Sequence, residues 1–166
     1  SRFIRSLDVQ MNSISDSEAV FVAAPKTAEA DRARVKVGDV LLTITGSKIG
    51  RAAPVKDLCG DAYISQHVAI LRPKQTLSPE YLSYFLALDS GGQRQIEKMQ
   101  YGQTKPGLNL SQIRSFQIPF PPEEVQNSFV ALVKRLDAYK LRERTSFLHA
   151  ERLFASLSQR AFQGEL

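Results

Sequence analysis

The sequence contains little cysteine and no long apolar run, and both absences exclude classes of protein. A single cysteine, Cys59, cannot form an internal disulfide or a four-cysteine zinc site, which is typical of a protein in a reducing cytosol. No apolar run approaches the ~18 residues that a membrane-spanning helix requires, and no signal peptide is visible. We therefore expect a cytoplasmic protein without a structural metal.

Motifs for catalysis are missing as well. Residues 46–51 lack the Lys-Ser/Thr ending of a Walker phosphate-binding loop, and Gly91-Gly92 is an isolated pair rather than a dinucleotide-binding fingerprint. The only two histidines, His67 and His149, stand apart from any cysteine or aspartate cluster. Both are predicted to be structural, with His67 opening a buried strand. We expect no catalytic residues, no metal ligands and no cofactor on this chain.

The most prominent feature that is present is the last quarter of the chain. Between Pro122 and Gly164 there is no glycine or proline, which predicts one long helix of about 60 Å at ~1.5 Å per residue. Apolar residues recur three and four positions apart in two stripes, slightly out of phase, joined by the polar segment 140–146. The helix is too long to be covered by a domain of about 120 residues, so we expect a partner helix. The alternative is a helix packed on its own domain. The predicted partner contacts are Phe129, Leu132, Leu136, Phe147, Phe154 and Leu157.

The residues before this helix predict short strands and brief helices. The clearest strand is 40–45, which is β-branched and bounded by glycines. Ser78 and Pro79 predict a helix start. Further strands are predicted at 3–4, 20–22, 51–55, 67–71 and 116–118, and helices at 80–88, 93–99 and 111–113, the last capped by Ser111. The predicted fold class is α+β, a mixed, curved sheet with short helices (1–120) followed by one long C-terminal helix (121–166).

Positive and amide side chains collect at two predicted turns. The net charge of +5 favours binding to polyanions only mildly. Arg and Lys can pair with guanine edges or phosphates, and Gln with adenine. The sequence therefore predicts DNA contacts, with solvated turn residues as the open alternative. The candidates are Lys48 and Arg51 in one turn and Gln103, Thr104 and Lys105 in the other.

Several motifs together resemble the target recognition domains of the specificity subunits of Type I restriction–modification enzymes. The first is the strand-turn-strand Val-Gly-Asp-Val-Leu-Leu-Thr-Ile-Thr-Gly at 37–46 with Ile-Gly-Arg-Ala at 49–52. Ile-Ser-Gln-His at 64–67, Leu-Ser-Pro-Glu-Tyr-Leu at 77–82 and Gly-Gln-Thr-Lys-Pro-Gly-Leu-Asn at 102–109 are similar to later landmarks of that domain. The segment 118–126 resembles the opening of the family's helical region. The match covers nearly the whole chain.

The resemblance implies a non-catalytic subunit that reads one half of a split DNA sequence. Its helix would dock adenine-methylating modification subunits, which carry S-adenosylmethionine, and a restriction subunit would join for cleavage. A full specificity subunit has two recognition domains and two helices, whereas this sequence has one of each. We therefore expect a half subunit or a fragment, with the first stretch of its recognition domain missing. A second copy is expected to replace the second helix in an antiparallel homodimer.

Two other classes of function remain open from the sequence. One is a helical protein–protein adaptor whose basic charge is incidental. The other is the recognition module of a fused DNA methyltransferase.

Overall fold

The computed structural model describes residues 1–23, 27–74, 76–100 and 106–163. The chain divides into two compact units, Ser1–Asn127 and Ser128–Leu166. The first unit contains the strands and short helices, and the second consists of most of the long helix. The boundary between the units falls inside that helix, after its first turn.

The strands of the first unit form three small sheets. They are β1 (Arg2–Ile4), β2 (Val9–Gln10), β3 (Ser13–Ile14), β4 (Val20–Phe21), β5 (Val40–Thr43), β6 (Ala52–Pro54), β7 (Ala62–Ile64) and β8 (Val68–Leu71). Strand β1 pairs antiparallel with β4 and parallel with β7, β2 pairs with β3, and β5 lies between β6 and β8 in an antiparallel sheet. The mixed pairing confirms the predicted α+β class, with the strands divided among three sheets.

Strand β5 is the centre of the fold because both of its faces are covered. Successive side chains of a strand point to opposite faces. Val40 and Leu42 accordingly belong to one apolar cluster, and Leu41 belongs to a second. All four residues of β5 are buried, so the strand is a rigid support for the chain segments that leave its two ends.

The helices are α1 (Ala28–Ala33), α2 (Pro79–Ala87), α3 (Arg94–Gln100), α4 (Leu110–Arg114) and α5 (Glu123–Gln163), with a kinked segment at Asp89–Gln93 in which Gly91 has non-helical φ and ψ. The predicted start of α2 is confirmed, since the Ser78 hydroxyl accepts a hydrogen bond from the Tyr81 N–H at 3.3 Å. The predicted cap of α4 is wrong. Asn109 caps that helix, because its side chain and that of Gln112 each bond the other's backbone N–H.

The predicted strand at 116–118 is absent from the described residues, and a side chain explains why. The Gln117 N–H donates to Gln95 Oε1 at 2.8 Å, and Gln95 Nε2 donates to the Gln117 carbonyl at 3.0 Å. One amide side chain thus satisfies both backbone groups that a neighbouring strand would bond. The β2–β3 hairpin and β7 are strands that the sequence did not predict.

Helix α5 is continuous over 41 residues. Phe147 lies 18 residues after Phe129, which is about five turns at ~3.6 residues per turn. The spacing therefore places the two apolar stripes on nearly the same side of the helix, and the predicted difference in phase between them is small. The polar segment 140–146 interrupts the stripe.

Candidate nucleic-acid interface

Three chain segments meet where β5 ends, and we call this region the β5 C-terminal end. They are the connection 44–51, the turn 65–67 and the segment 106–108. The Ile44 N–H donates to the His67 carbonyl at 2.9 Å, and the Ile44 carbonyl accepts from the Leu108 N–H at 2.9 Å. Thr45 forms an antiparallel bridge with Gly107. Residues far apart in sequence are thus joined by backbone bonds at one end of the sheet.

The connection 44–51 is a tight turn that carries Lys48. Gly46 and Gly50 both adopt a positive φ, a backbone conformation that residues with a side chain rarely adopt. The Gly50 N–H donates to the Thr43 carbonyl, and Gln93 Nε2 donates to the Gly50 carbonyl, both at 2.9 Å. These bonds fix the turn on the sheet and leave Lys48 partly exposed.

Arg51 lies in the same connection as Lys48, as predicted, but its guanidinium is already engaged. It donates a short hydrogen bond to Oε1 of Gln10 on β2, while Gln10 Nε2 donates to the Leu7 carbonyl at 2.7 Å. Arg51 therefore ties the connection to the β2–β3 hairpin. A DNA contact would have to compete with this bond or use the remaining guanidinium N–H groups.

The other predicted DNA contacts, Gln103, Thr104 and Lys105, lie outside the described residues. The part of the structure that follows them begins at Pro106, and Gly107 is the residue bridged to Thr45. The described end of that predicted loop therefore joins the connection that carries Lys48.

Two polar residues at this end, Gln66 and His67, were not predicted from the sequence to contact DNA. His67 is exposed and precedes β8 rather than opening a buried strand, so that expectation is wrong. Its Nδ1 lies 2.5 Å from Thr45 Oγ1, and the exposed Gln66 precedes it. The antiparallel pairing of Thr43 with Val68 brings them beside Thr45. The motif at 64–67 includes both residues, but the sequence alone does not show that the β5–β8 register places them beside Thr45.

The two ends of the β5 sheet differ in charge. The three segments at the β5 C-terminal end contain Lys48, Arg51 and no carboxylate. At the opposite end Asp39 is buried and accepts hydrogen bonds from Arg72 Nε and a terminal nitrogen at 2.7 and 2.8 Å. That hydrogen bond to Asp39 raises the pKa of the Arg72 guanidinium above its ordinary value, despite some loss of hydration. At the C-terminal end, by contrast, the positive charges of Lys48 and Arg51 have no carboxylate within the three segments.

The predicted partner contacts on α5 present a largely exposed face. Phe129 is half-buried. The other five are exposed, from 40% for Leu157 to 73% for Phe154.

Within the described part of the chain, no helix combines the length and apolar character that a membrane crossing requires. The same residues contain no group of three or more His, Cys, Asp or Glu side chains placed to hold a metal ion.

The family profile described as the Type I restriction modification DNA specificity domain matches residues 11–146. The chain belongs to this family, which confirms the resemblance found in the sequence. It is thus a DNA specificity domain of the Type I restriction–modification class, and neither an adaptor nor a fused methyltransferase module receives support. No curated protein matches the chain significantly.

Two solved structures have a similar fold. One comes from a study of complex assembly and conformational transition of the type I R-M system, with TM-score 0.70 and 22% identity over 99% of this chain and 39% of the other. The second is the HsdS subunit from Thermoanaerobacter tengcongensis, with TM-score 0.65 and 21% identity over 86% of this chain and 36% of that subunit. This chain therefore spans less than half the length of either.

Proposed function

We propose that this chain is the sequence-reading component of a Type I restriction–modification enzyme, with residues 1–120 as the recognition domain and 121–166 as the helical region. The observation that carries the proposal is the carboxylate-free β5 C-terminal end, in a chain that belongs to the DNA specificity domain family. Loops held by a rigid sheet are suited to entering a DNA groove, because their donors need little reordering on binding.

The roles of the residues follow from their chemistry. Lys48 is a mobile point charge and suits a phosphate contact that positions the domain. Arg51, held by Gln10, has donors left for a phosphate or a guanine edge. Gln103, Thr104 and Lys105 are proposed to contact DNA as well. The domain binds DNA without altering it.

Chemistry on the DNA is assigned to partner subunits. Modification subunits that carry S-adenosylmethionine would methylate adenine at the site this chain selects, and a restriction subunit would cleave. All of these act in the cytoplasm, where the DNA lies. The family description supports this division of labour, since it names a DNA specificity domain.

A matched pair of lysines tests the DNA surface. Lys56 is exposed just after β6, at the opposite end of the β5 sheet from Lys48. We expect Lys48→Ala to weaken binding to mixed-sequence duplex DNA by about 1 kcal/mol and to reduce the salt slope by about one phosphate contact. Lys56→Ala should change neither. Fluorescence anisotropy between 50 and 200 mM salt measures both, and equal behaviour of the two variants would contradict the assignment.

The exposed side of α5 favours a second proposal, an antiparallel homodimer. Its apolar residues lie in pairs at equal distances on either side of Glu143. The pairs are Phe129 with Leu157, Leu132 with Phe154, Leu136 with Ala150, and Tyr139 with Phe147. A two-fold axis at Glu143 would therefore place each of these eight apolar residues opposite an apolar residue of the copy, as an isologous interface requires.

The energetics support association of this helix. Full burial stabilises each large apolar side chain by roughly 1.5–3 kcal/mol, so the six predicted contacts together provide on the order of 10 kcal/mol before the entropy of association. Lys140 and Arg144 flank Glu143 and can offset the repulsion between the two copies of that carboxylate. Such a dimer would read a split site whose two halves are inverted copies.

A further inference from the structure

His67 and Gln66 form a polar pair at the β5 C-terminal end that the proposed DNA contacts do not include. Both side chains are exposed, and they lie in a turn closed by a 3.0 Å bond from the Val68 N–H to the Ser65 carbonyl. The backbone of His67 is fixed as well, since its carbonyl accepts from the Ile44 N–H. The turn is therefore rigid although its side chains face solvent.

The imidazole of His67 is oriented by one specific contact. Its Nδ1 lies 2.5 Å from Thr45 Oγ1, whereas its Nε2 has only a contact of 3.5 Å with Gln66 Nε2. At 3.5 Å this contact is at most a weak hydrogen bond, and it is none when Nε2 carries the ring proton, because the Gln66 nitrogen is itself a donor. One ring nitrogen is thus occupied and the other is left with the Gln66 amide for a ligand.

We propose that Gln66 and His67 read purine edges in the DNA major groove, and that Thr45 is a positioning residue for His67. This inference rests on the proposed DNA-recognition function. When the Thr45 hydroxyl donates to Nδ1, the proton of the neutral ring resides on Nε2. An Nε2–H donor suits the N7 acceptor that both purines present in the major groove, and a glutamine amide suits N6 and N7 of adenine.

The position of the pair favours base contact. Lys48 leaves the same sheet end on the neighbouring turn, so a phosphate bound there would bring the adjacent bases toward the turn 65–67. No carboxylate occurs in the three segments of this end to repel the DNA or to capture the histidine. Since turn and ring are held before binding, little conformational entropy is lost on contact.

The test is selection of duplexes from a random-sequence DNA pool by the whole chain, followed by affinity measurements on the selected site. His67→Phe and Gln66→Ala remove the proposed donors, and Thr45→Val removes the orienting hydroxyl. His149→Ala is the matched control, because the only other histidine lies exposed on α5. Thermal melting of each variant checks that the fold is kept.

We expect wild type and His149→Ala to select one motif. His67→Phe and Gln66→Ala should each lose selection at a purine position, with affinity for the motif falling ~5- to 150-fold and affinity for unrelated DNA unchanged. Thr45→Val should shift the His67 tautomer in ¹⁵N NMR spectra and weaken the same purine preference as His67→Phe, while Thr45→Ser restores it.

Two results overturn the inference in distinguishable ways. If wild type selects a motif and all three variants select the same motif equally well, the pair does not read bases and the proposed function stands. If folded wild type selects no motif, the proposed function falls, and the inference with it.

Discussion

The Gln126 side chain bonds the first turn of α5 to the chain segments that precede the helix. It is fully buried, and its Oε1 accepts from the Ser78 N–H at 2.9 Å. Its Nε2 donates to the carbonyls of Thr76 at 3.1 Å and Pro121 at 2.9 Å. No apolar residue of similar size can form these bonds, so this buried position requires an amide side chain.

Gln126→Leu should therefore lower the free energy of unfolding by about 2–3 kcal/mol, because it leaves backbone groups without their partner. The matched control is Gln163→Leu, which changes an exposed glutamine at the other end of α5. Urea denaturation followed by circular dichroism measures both. Equal stability of the two variants would contradict the role assigned to Gln126.

Gly92 is required for a steric reason rather than for a turn. A Cβ at this position would lie 2.4 Å from Leu86 Cα, whereas at Gly107 the nearest atom is 3.6 Å away. Gly92→Ala should destabilise the protein by more than about 2 kcal/mol, because backbone must move. Gly107→Ala should be nearly neutral. Melting temperatures of the two variants compare them, and similar values would show that α2 and the kinked segment 89–93 can separate at little cost.

Among the elements, α5 allows the most specific prediction, because apolar residues of this helix lie symmetrically about Glu143. In a Cys59→Ser background, Glu143→Cys should form a disulfide-linked dimer under mild oxidation, because the proposed two-fold axis passes through this position. Leu136→Cys alone should not, since the two copies would lie ~21 Å apart along the helices at ~1.5 Å per residue. A mixture of Leu136→Cys and Ala150→Cys should link.

Non-reducing gel electrophoresis distinguishes the alternatives to that arrangement. A parallel, in-register dimer would link Leu136→Cys to itself. If the chain is a monomer, none of the three variants should form more disulfide-linked dimer than an exposed control such as Arg142→Cys.

The elements differ in how far the sequence predicts them. Strand β5, the Ser78 cap and α5 were predictable because β-branched runs, capping residues and helical periodicity are local signals. The strand at 116–118 was wrong because the Gln95 side chain takes the place of a neighbouring strand. Strand β7 is only three residues long, and its parallel pairing with β1 is non-local.

The candidate site divides in the same way. The sequence predicted that Lys48 and Arg51 share one turn, because the glycines at 46 and 50 mark a turn and both basic residues lie in or next to it. The bond from Arg51 to Gln10 joins residues 41 positions apart, and no local pattern encodes it. His67 was judged from its apolar neighbours Val68 and Ala69, but only the β5–β8 register shows that it lies beside Thr45.

For the molecule as a whole, the proposed division between sequence recognition by this chain and chemistry by partner subunits gives a testable expectation. The pure chain, incubated with DNA, S-adenosylmethionine and Mg²⁺, should leave the DNA neither methylated nor cut, because its sequence lacks the motifs that would bind the cofactor or activate a nucleophile. Mass spectrometry of the DNA and gel electrophoresis check both reactions. Methyl transfer or cleavage by the chain alone would overturn the non-catalytic assignment.

The most direct test is to map adenine methylation produced by the modification subunit of the same system, with and without this chain. If the chain selects the sequence, N6-methyladenine should appear at one split motif only when the chain is present, and the motif should be an inverted repeat if the chain acts as a homodimer. Lys56→Ala should preserve that pattern. Methylation at the same positions without the chain, or at positions unrelated to any motif with it, would contradict the proposal that this protein chooses the DNA site.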